Sequence, residues 1–168
     1  MIPSNDINFS QIASRSRSTA RKALQRNTGS WQLKDAGFLI DSYDRMRLIE
    51  YMAATAMERL RMKEAYSKAK EIYHMAVGLN KKYRKEATRY KIKLPLSLSG
   101  SSENYLQILD KVRDQHFEIM YLGYMQQKLA EMVLQLRQYE LIGKSKGLLA
   151  FYSAILMQIL KVEKELTN

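Results

Sequence analysis

A chain of 168 residues that is 46% hydrophobic is long enough to bury one sizeable core, and its formal net charge of +11, with a pI of about 9.8, points to partners that carry negative charge. Nucleic acid, an anionic membrane face and an acidic protein surface all meet that condition, and composition singles out none of them. Without cysteine there is no disulfide framework, zinc-thiolate site or thiol nucleophile.

Seven glycines, two prolines and no alternating apolar and β-branched runs between turn signals leave strands with little support, so the expected class is all-α. The first thirty residues hold no apolar core of the length a signal peptide needs, and no run is apolar enough to span a bilayer. A soluble chain in an intracellular location is expected, or in the cell envelope if the chain is a processed form.

Residues 1–30 read as a basic arm. Between Ser10 and Arg26 stand Arg15, Arg17, Arg21, Lys22 and Arg26 with no acidic residue, and too few large apolar side chains to sustain a helix without a partner. Such a run suits a phosphate-rich or acidic surface, and its Arg and Ser content also resembles an organellar targeting segment. Asn27 to Ser30 form a break, and residues 31–168 read as one bundle domain.

The first bundle helix is expected to begin near Leu33 or Asp35, with the carboxylate at the helix N-terminus. Its seam is Leu39, Tyr43, Met46, Glu50, Ala53, Met57 and Leu60. From Leu60 to the next seam residue, Ala65, is five positions, a rotation of roughly 140° that predicts a turn or kink near residues 63–67. The stretch from Ala65 to Tyr90 is the stripe around which the other helices are expected to pack: Ala65, Ala69, Ile72, Ala76, Leu79, Tyr83 and Tyr90 follow a three-four spacing. Its reverse face ends in the densest basic run, Lys81, Lys82, Arg84, Lys85, Arg89, Lys91 and Lys93.

Pro95 stops the second helix, and a Ser at 101 or 102 followed by Glu103 starts the third. That helix is expected to run unbroken from about Glu103 to Leu141. Gly143 suits a left-handed C-terminal cap and Ser145 the next N-cap, after which Leu148, Tyr152, Ile155, Ile159, Val162 and Leu166 make a fourth seam. Four seams predict an antiparallel four-helix bundle.

Glu50 is the sharpest anomaly, because a carboxylate drawn onto a buried seam has to be paired, protonated or liganded. A di-iron bundle would need a Glu-x-x-His pair on each of two helices, and the sequence holds a single such run, Glu71-Ile72-Tyr73-His74, so Glu50 reads as a buried polar residue satisfied by a tyrosine or lysine and replaceable by Gln or Leu. Neither His74 nor His116 has a neighbour that suggests a relay, and there is no glycine-rich phosphate loop. No catalytic residue, metal ligand, cofactor or small-molecule substrate is therefore expected. Tyr83 and Tyr90, beside the basic run, could stack on bases, but as seam residues they are expected inside.

Asp35-Ala36-Gly37-Phe38, Leu94-Pro95, Phe117 with Tyr121 and Met125, and Leu148-Leu149-Ala150-Phe151 together give a joint spacing that resembles a known family. This is the ferritin-like four-helix domain of unknown function found in exported bacterial proteins often described as predicted outer-membrane proteins, and it covers roughly Asp35 to Leu166. The resemblance implies a ferritin-like bundle with one histidine inside each of the second, third and fourth helices, at positions near Ala76, Leu129 and Val162 here. All three are apolar in this chain, no export signal is read in its first thirty residues, and Glu50 resembles a remnant of the family's first-helix acid. The function expected is a non-catalytic interaction protein, a structural or assembly component of a larger complex that binds an anionic partner through its arm and basic bundle end. A nucleic-acid-binding module and a ferritin-like metal-binding protein are the alternatives.

Overall fold

The computed structural model describes residues 30–167, which form an all-helical, bundle-like fold of five helices: α1 (Ser30–Arg59), α2 (Lys63–Arg89), α3 (Gly100–Lys111), α4 (Asp114–Ile142) and α5 (Lys146–Thr167). The arm residues fall outside the described residues.

Helix α1 sits deepest. Two overlapping apolar rows, Leu39, Met46, Ile49, Ala53 and Ala56 on one side and Ile40, Leu48 and Met52 on the other, are both buried, so the helix is apolar over most of its circumference and needs neighbours on several sides. The true seam passes through Ile49 and Ala56, one residue away from the predicted Glu50 and Met57. Glu50 consequently lies at the margin of the core, half-buried, which corrects its assignment as a buried residue.

The chain leaves α1 at Leu60, whose side chain remains buried, and re-enters a helix at Lys63. The five-residue offset thus marks a real break, centred on 60–62 and slightly earlier than predicted. Ala69, Ile72, Ala76, Leu79 and Tyr83 of α2 face inward as expected, but the row ends on Ala87 and leaves Tyr90 at the surface. Two bonds close the helix: Ile92 N–H donates to Ala87 O at 2.7 Å and Lys91 N–H to Thr88 O at 3.1 Å. That pattern places Lys91 in the left-handed region, at φ 55°, a position more often held by glycine.

From there the segment around Pro95 returns along α1, held by Arg47, whose guanidinium donates to Pro95 O and to Leu96 O at 3.0 Å. The cap of α3 is Ser99, two or three residues before the predicted Ser101 or Ser102. Its hydroxyl accepts from Ser102 N–H, while Asp44 of α1 accepts from Ser99 N–H (2.7 Å), Ser99 Oγ (2.7 Å) and Ser102 Oγ (2.6 Å).

The predicted third helix is in fact two. Val112 and Arg113 are extended, with ψ of 141° and 149°, and the break between α3 and α4 is held by Arg59 from the end of α1. Its guanidinium donates to Leu109 O (2.8 Å), Val112 O (2.5 Å) and Asp114 Oδ1 (2.8 Å), and lies 4.0 Å above the Phe117 ring. One side chain thereby takes up carbonyls that the end of α3 would otherwise leave without helical partners.

Pairs of contacts locate the remaining helices. Arg59 meets Asp114, Arg45 meets Glu131 at 3.3 Å, and Asp35 meets Tyr139, so positions advancing along α1 meet positions retreating along α4. Tyr139 packs edge-on against Tyr152 of α5 at 4.6 Å, and Phe151 of α5 against Tyr83 of α2 at 5.1 Å. Ser145 caps α5 as predicted, its hydroxyl accepting from Leu148 N–H. Gly143 is not left-handed, at φ −70°. Glycine is needed there for space, because a Cβ would collide with the ring of Tyr139.

Removing the Arg59 guanidinium should loosen the α3–α4 junction selectively. Arg59→Ala is expected to cost about 2–3 kcal/mol in denaturant unfolding and to raise amide exchange in residues 109–117. Arg59→Lys, a single-point donor, should recover only part of the loss.

Candidate functional site

The charged surface is built where four helix ends meet. Asp35 near the start of α1 bonds Tyr139 near the end of α4, while the hydroxyl of Tyr90 at the end of α2 lies directly over Gly147 at the start of α5. Lys81, Lys82, Arg84, Lys85 and Arg89 all project into solvent from the last turns of α2, because Tyr83 and Ala87 occupy its inward face. Lys91 and Lys93 continue the run, exposed, around the left-handed turn.

Lys144 in the α4–α5 connection and Lys146 at the start of α5, some fifty residues further on, are exposed at this same end. Nothing along the chain signals that convergence, since it depends on the packing of α2 against α5. Among the described residues, the only ion pair made by these cations is Arg89 with Glu86 at 3.8 Å. At the other end of α1 the signs are mixed, Glu58, Glu64, Asp110 and Asp114 standing among Arg61, Lys63, Lys111 and Arg113. Arg15, Arg17, Arg21, Lys22 and Arg26 lie outside the described residues, but the chain that carries them joins α1 at the basic end.

Below this surface the core is rich in tyrosine. Phe38, Tyr139, Phe151, Tyr152, Tyr83 and Tyr43 form a continuous chain of tilted and edge-to-face rings. Tyr139 OH donates to Asp35 Oδ1 at 2.5 Å, so Asp35 serves as a buried tertiary acceptor in the second turn of α1 and not as the predicted first-turn acid. Burial pushes the hydroxyls of Tyr83, Tyr121, Tyr139 and Tyr152 well above the ordinary phenol range, and at Tyr139 the bond to Asp35 adds to the effect. Tyr83 is fully buried and cannot stack on a base, whereas Tyr90 is 36% exposed beside Arg89.

Glu50 accepts from Nδ2 of Asn80 at 2.5 Å, neither from a tyrosine nor from a lysine. Asn80 is fully buried, a polar residue within the α2 seam that the apolar spacing did not reveal.

A second polar cluster joins α1, α3 and α4. Glu131 accepts from Lys128 Nζ and Gln127 Nε2, each at 2.9 Å, and pairs with Arg45 of α1, which also bonds Gln135. Lys128 is buried, its ammonium 3.9 Å from the centre of the Tyr105 ring. Burial opposes ionisation of Glu131, but the bonds from Lys128 and Gln127 and the nearby Lys128 and Arg45 charges outweigh it and hold the carboxyl below its usual range.

Ala76 and Leu129, two of the positions where the resemblance implies a histidine, are fully buried, and Val162 is half-buried. Both histidines are exposed. Among the described residues, no three His, Asp or Glu side chains come together as a metal-binding group, and no helix is long and apolar enough to cross a membrane.

Two predictions arise from the buried groups. A hydroxyl whose folded-state pKa is raised stabilises the fold fully below its unfolded pKa of about 10 and loses that contribution as pH rises through the folded value. The melting temperature is therefore expected to fall steeply above about pH 10, and less steeply in Tyr152→Phe. Ultraviolet absorbance should show these tyrosines ionising only on unfolding; a melting temperature that stays level to about pH 11 contradicts this. At Glu50, Gln keeps an acceptor for Asn80 and is expected to stay within about 1 kcal/mol of the native chain. Glu50→Leu strands a buried amide and should cost about 1–3 kcal/mol in denaturant unfolding, in contrast to the harmless replacement expected of a merely satisfied carboxylate.

Set against known proteins, the chain matches no family model, no curated protein and no solved structure, so its own residues carry the functional reading.

Proposed function

We propose that this chain is a non-catalytic interaction protein, a structural or assembly component that engages an anionic partner through its basic bundle end and its basic arm. The observation that carries the reading is the gathering of Lys81, Lys85, Arg89, Lys91, Lys144 and Lys146 toward one end, where Arg89 with Glu86 is the one ion pair they make among the described residues, against mixed charge at the other. Exposed cations left uncompensated on one face raise the local potential and steer anions toward it.

The architecture we infer is an antiparallel four-helix bundle of ferritin-like order, in which α1, α2, α4 and α5 are the bundle helices and the segment containing α3 is the single long crossover. Support comes from the reciprocal pairing of α1 with α4, and from Asp44 and Arg59 fixing the two ends of α3 along α1. The ferritin-like family resemblance is part of the same reading, with apolar side chains at the histidine positions.

A nucleic-acid partner is the neighbouring reading, favoured by the exposed ring of Tyr90 next to Arg89, which could offer a stacking surface at the edge of the basic run.

Triple reversal of Lys81, Lys85 and Arg89 to Glu should weaken binding to a polyanion by tenfold or more and flatten its salt dependence. A control reversal of Lys63 and Lys111 at the mixed end should have little effect. With duplex DNA as the probe, each lost phosphate contact is expected to reduce the log–log salt slope by about 0.9. Deletion of residues 1–26 should leave helicity and melting unchanged while lowering affinity. Binding indifferent to both the reversal and the deletion would overturn the reading.

A further inference from the structure

The basic end carries something that charge alone does not require. Leu141 and Ile142, in the last turn of α4, are 87% and 61% exposed, and Leu134, two turns earlier on the same side as Leu141, is 69% exposed. Two adjacent aliphatic side chains this open to water at a helix end are unfavourable unless something covers them. Their position is fixed from beneath: Tyr139 is pinned to Asp35, and its ring lies against Gly143 at the turn. Around them stand Arg137, one helical turn before Leu141, and Lys144 and Lys146 just after the turn, all exposed and without an ion pair among the described residues. The acid on this turn, Glu140, is directed sideways, its Oε1 accepting from Ser153 Oγ of α5.

An occupant of this surface has to present negative charge and accessible hydrocarbon together. A second copy would bring Arg137, Lys144 and Lys146 against their own counterparts, which like-charge repulsion opposes. Duplex nucleic acid supplies phosphates but leaves the aliphatic tip in water. An acidic lipid interface offers both, headgroup charge for the cations and acyl chains for a protruding Leu-Ile pair. We propose that the α4–α5 end is a peripheral docking surface for an anionic lipid interface, with Leu141 and Ile142 entering the headgroup and upper acyl layer and Arg137, Lys144 and Lys146 meeting the headgroups. This rests on the reading of the basic end as the partner-binding end, and names the partner's chemistry.

The test compares the full chain on phosphatidylcholine vesicles, on the same vesicles with added phosphatidylglycerol, and on a duplex oligonucleotide. The native chain should bind the anionic vesicles and not the neutral ones. The pair Leu141→Ser and Ile142→Ser should lose roughly tenfold in vesicle affinity while leaving oligonucleotide affinity unchanged, since it removes buried hydrocarbon without altering charge. Lys144→Glu with Lys146→Glu should weaken both. Because the chain has no cysteine, Leu141→Cys can carry a polarity-sensitive dye, whose emission should shift to the blue on anionic vesicles only, a readout that does not depend on the serine pair folding. Vesicle binding that ignores the serine pair, with an unshifted dye, overturns the lipid proposal and leaves the basic-end reading standing. Failure to bind either vesicles or oligonucleotide overturns both.

Discussion

Helix α1 has to be covered on several sides at once, and the rest of the structure follows from that requirement. Its buried rows carry enough aliphatic surface, at about 1.5–3 kcal/mol for each fully buried large side chain, to make exposure of any one side costly. Its polar side chains then determine what covers each side. Asp35 and Arg45 reach α4, Asp44 and Arg47 hold the start of α3 and the segment before it, Glu50 takes the amide of Asn80 on α2, and Arg59 closes the α3–α4 junction. Apolar burial supplies the drive, and these directional bonds select one arrangement from those that burial alone would tolerate.

The same division explains the two faces of the polar chemistry. Inside, tyrosines fill volume with rings, and a raised pKa is the electrostatic consequence of taking a phenol out of water. Outside, most cations of α2 and of the α4–α5 turn make no ion pair among the described residues, while several acids of α1 and α4 join helices. Asp35, Asp44, Glu50 and Glu131 are all spent in this way. Excess positive charge thus remains on the surface and collects where four helix ends meet.

That distribution bears on function. Asp35, Asp44, Glu50 and Glu131 are committed one by one to hydrogen bonds on different elements, and the buried cation Lys128 is enclosed by Glu131 and the Tyr105 ring. In the function proposed above, the exposed basic end with its aliphatic tip is the part that would hold the partner.

Sequence by itself determined what depends on near neighbours along the chain. The three-four spacing put Leu39, Ile72, Tyr83, Leu129 and Tyr152 inside, the offset after Leu60 marked a break, Ser145 read as a cap, and the alternation around Tyr83 left the α2 cations in water. An equal five-residue step, from Val112 to Phe117, was available as a sign that the long third helix is divided, but without Gly or Pro it gave no place for the cut. Tertiary structure made that cut, because Arg59 arrives from another helix to take the carbonyls of α3. It likewise moved Glu50 to the core margin, paired it with Asn80, buried Lys128 and brought Lys144 and Lys146 beside the α2 run. Periodicity fixes which way a side chain points on its own helix; which group it meets depends on the rotation and offset between helices, and those are set only when the whole core closes.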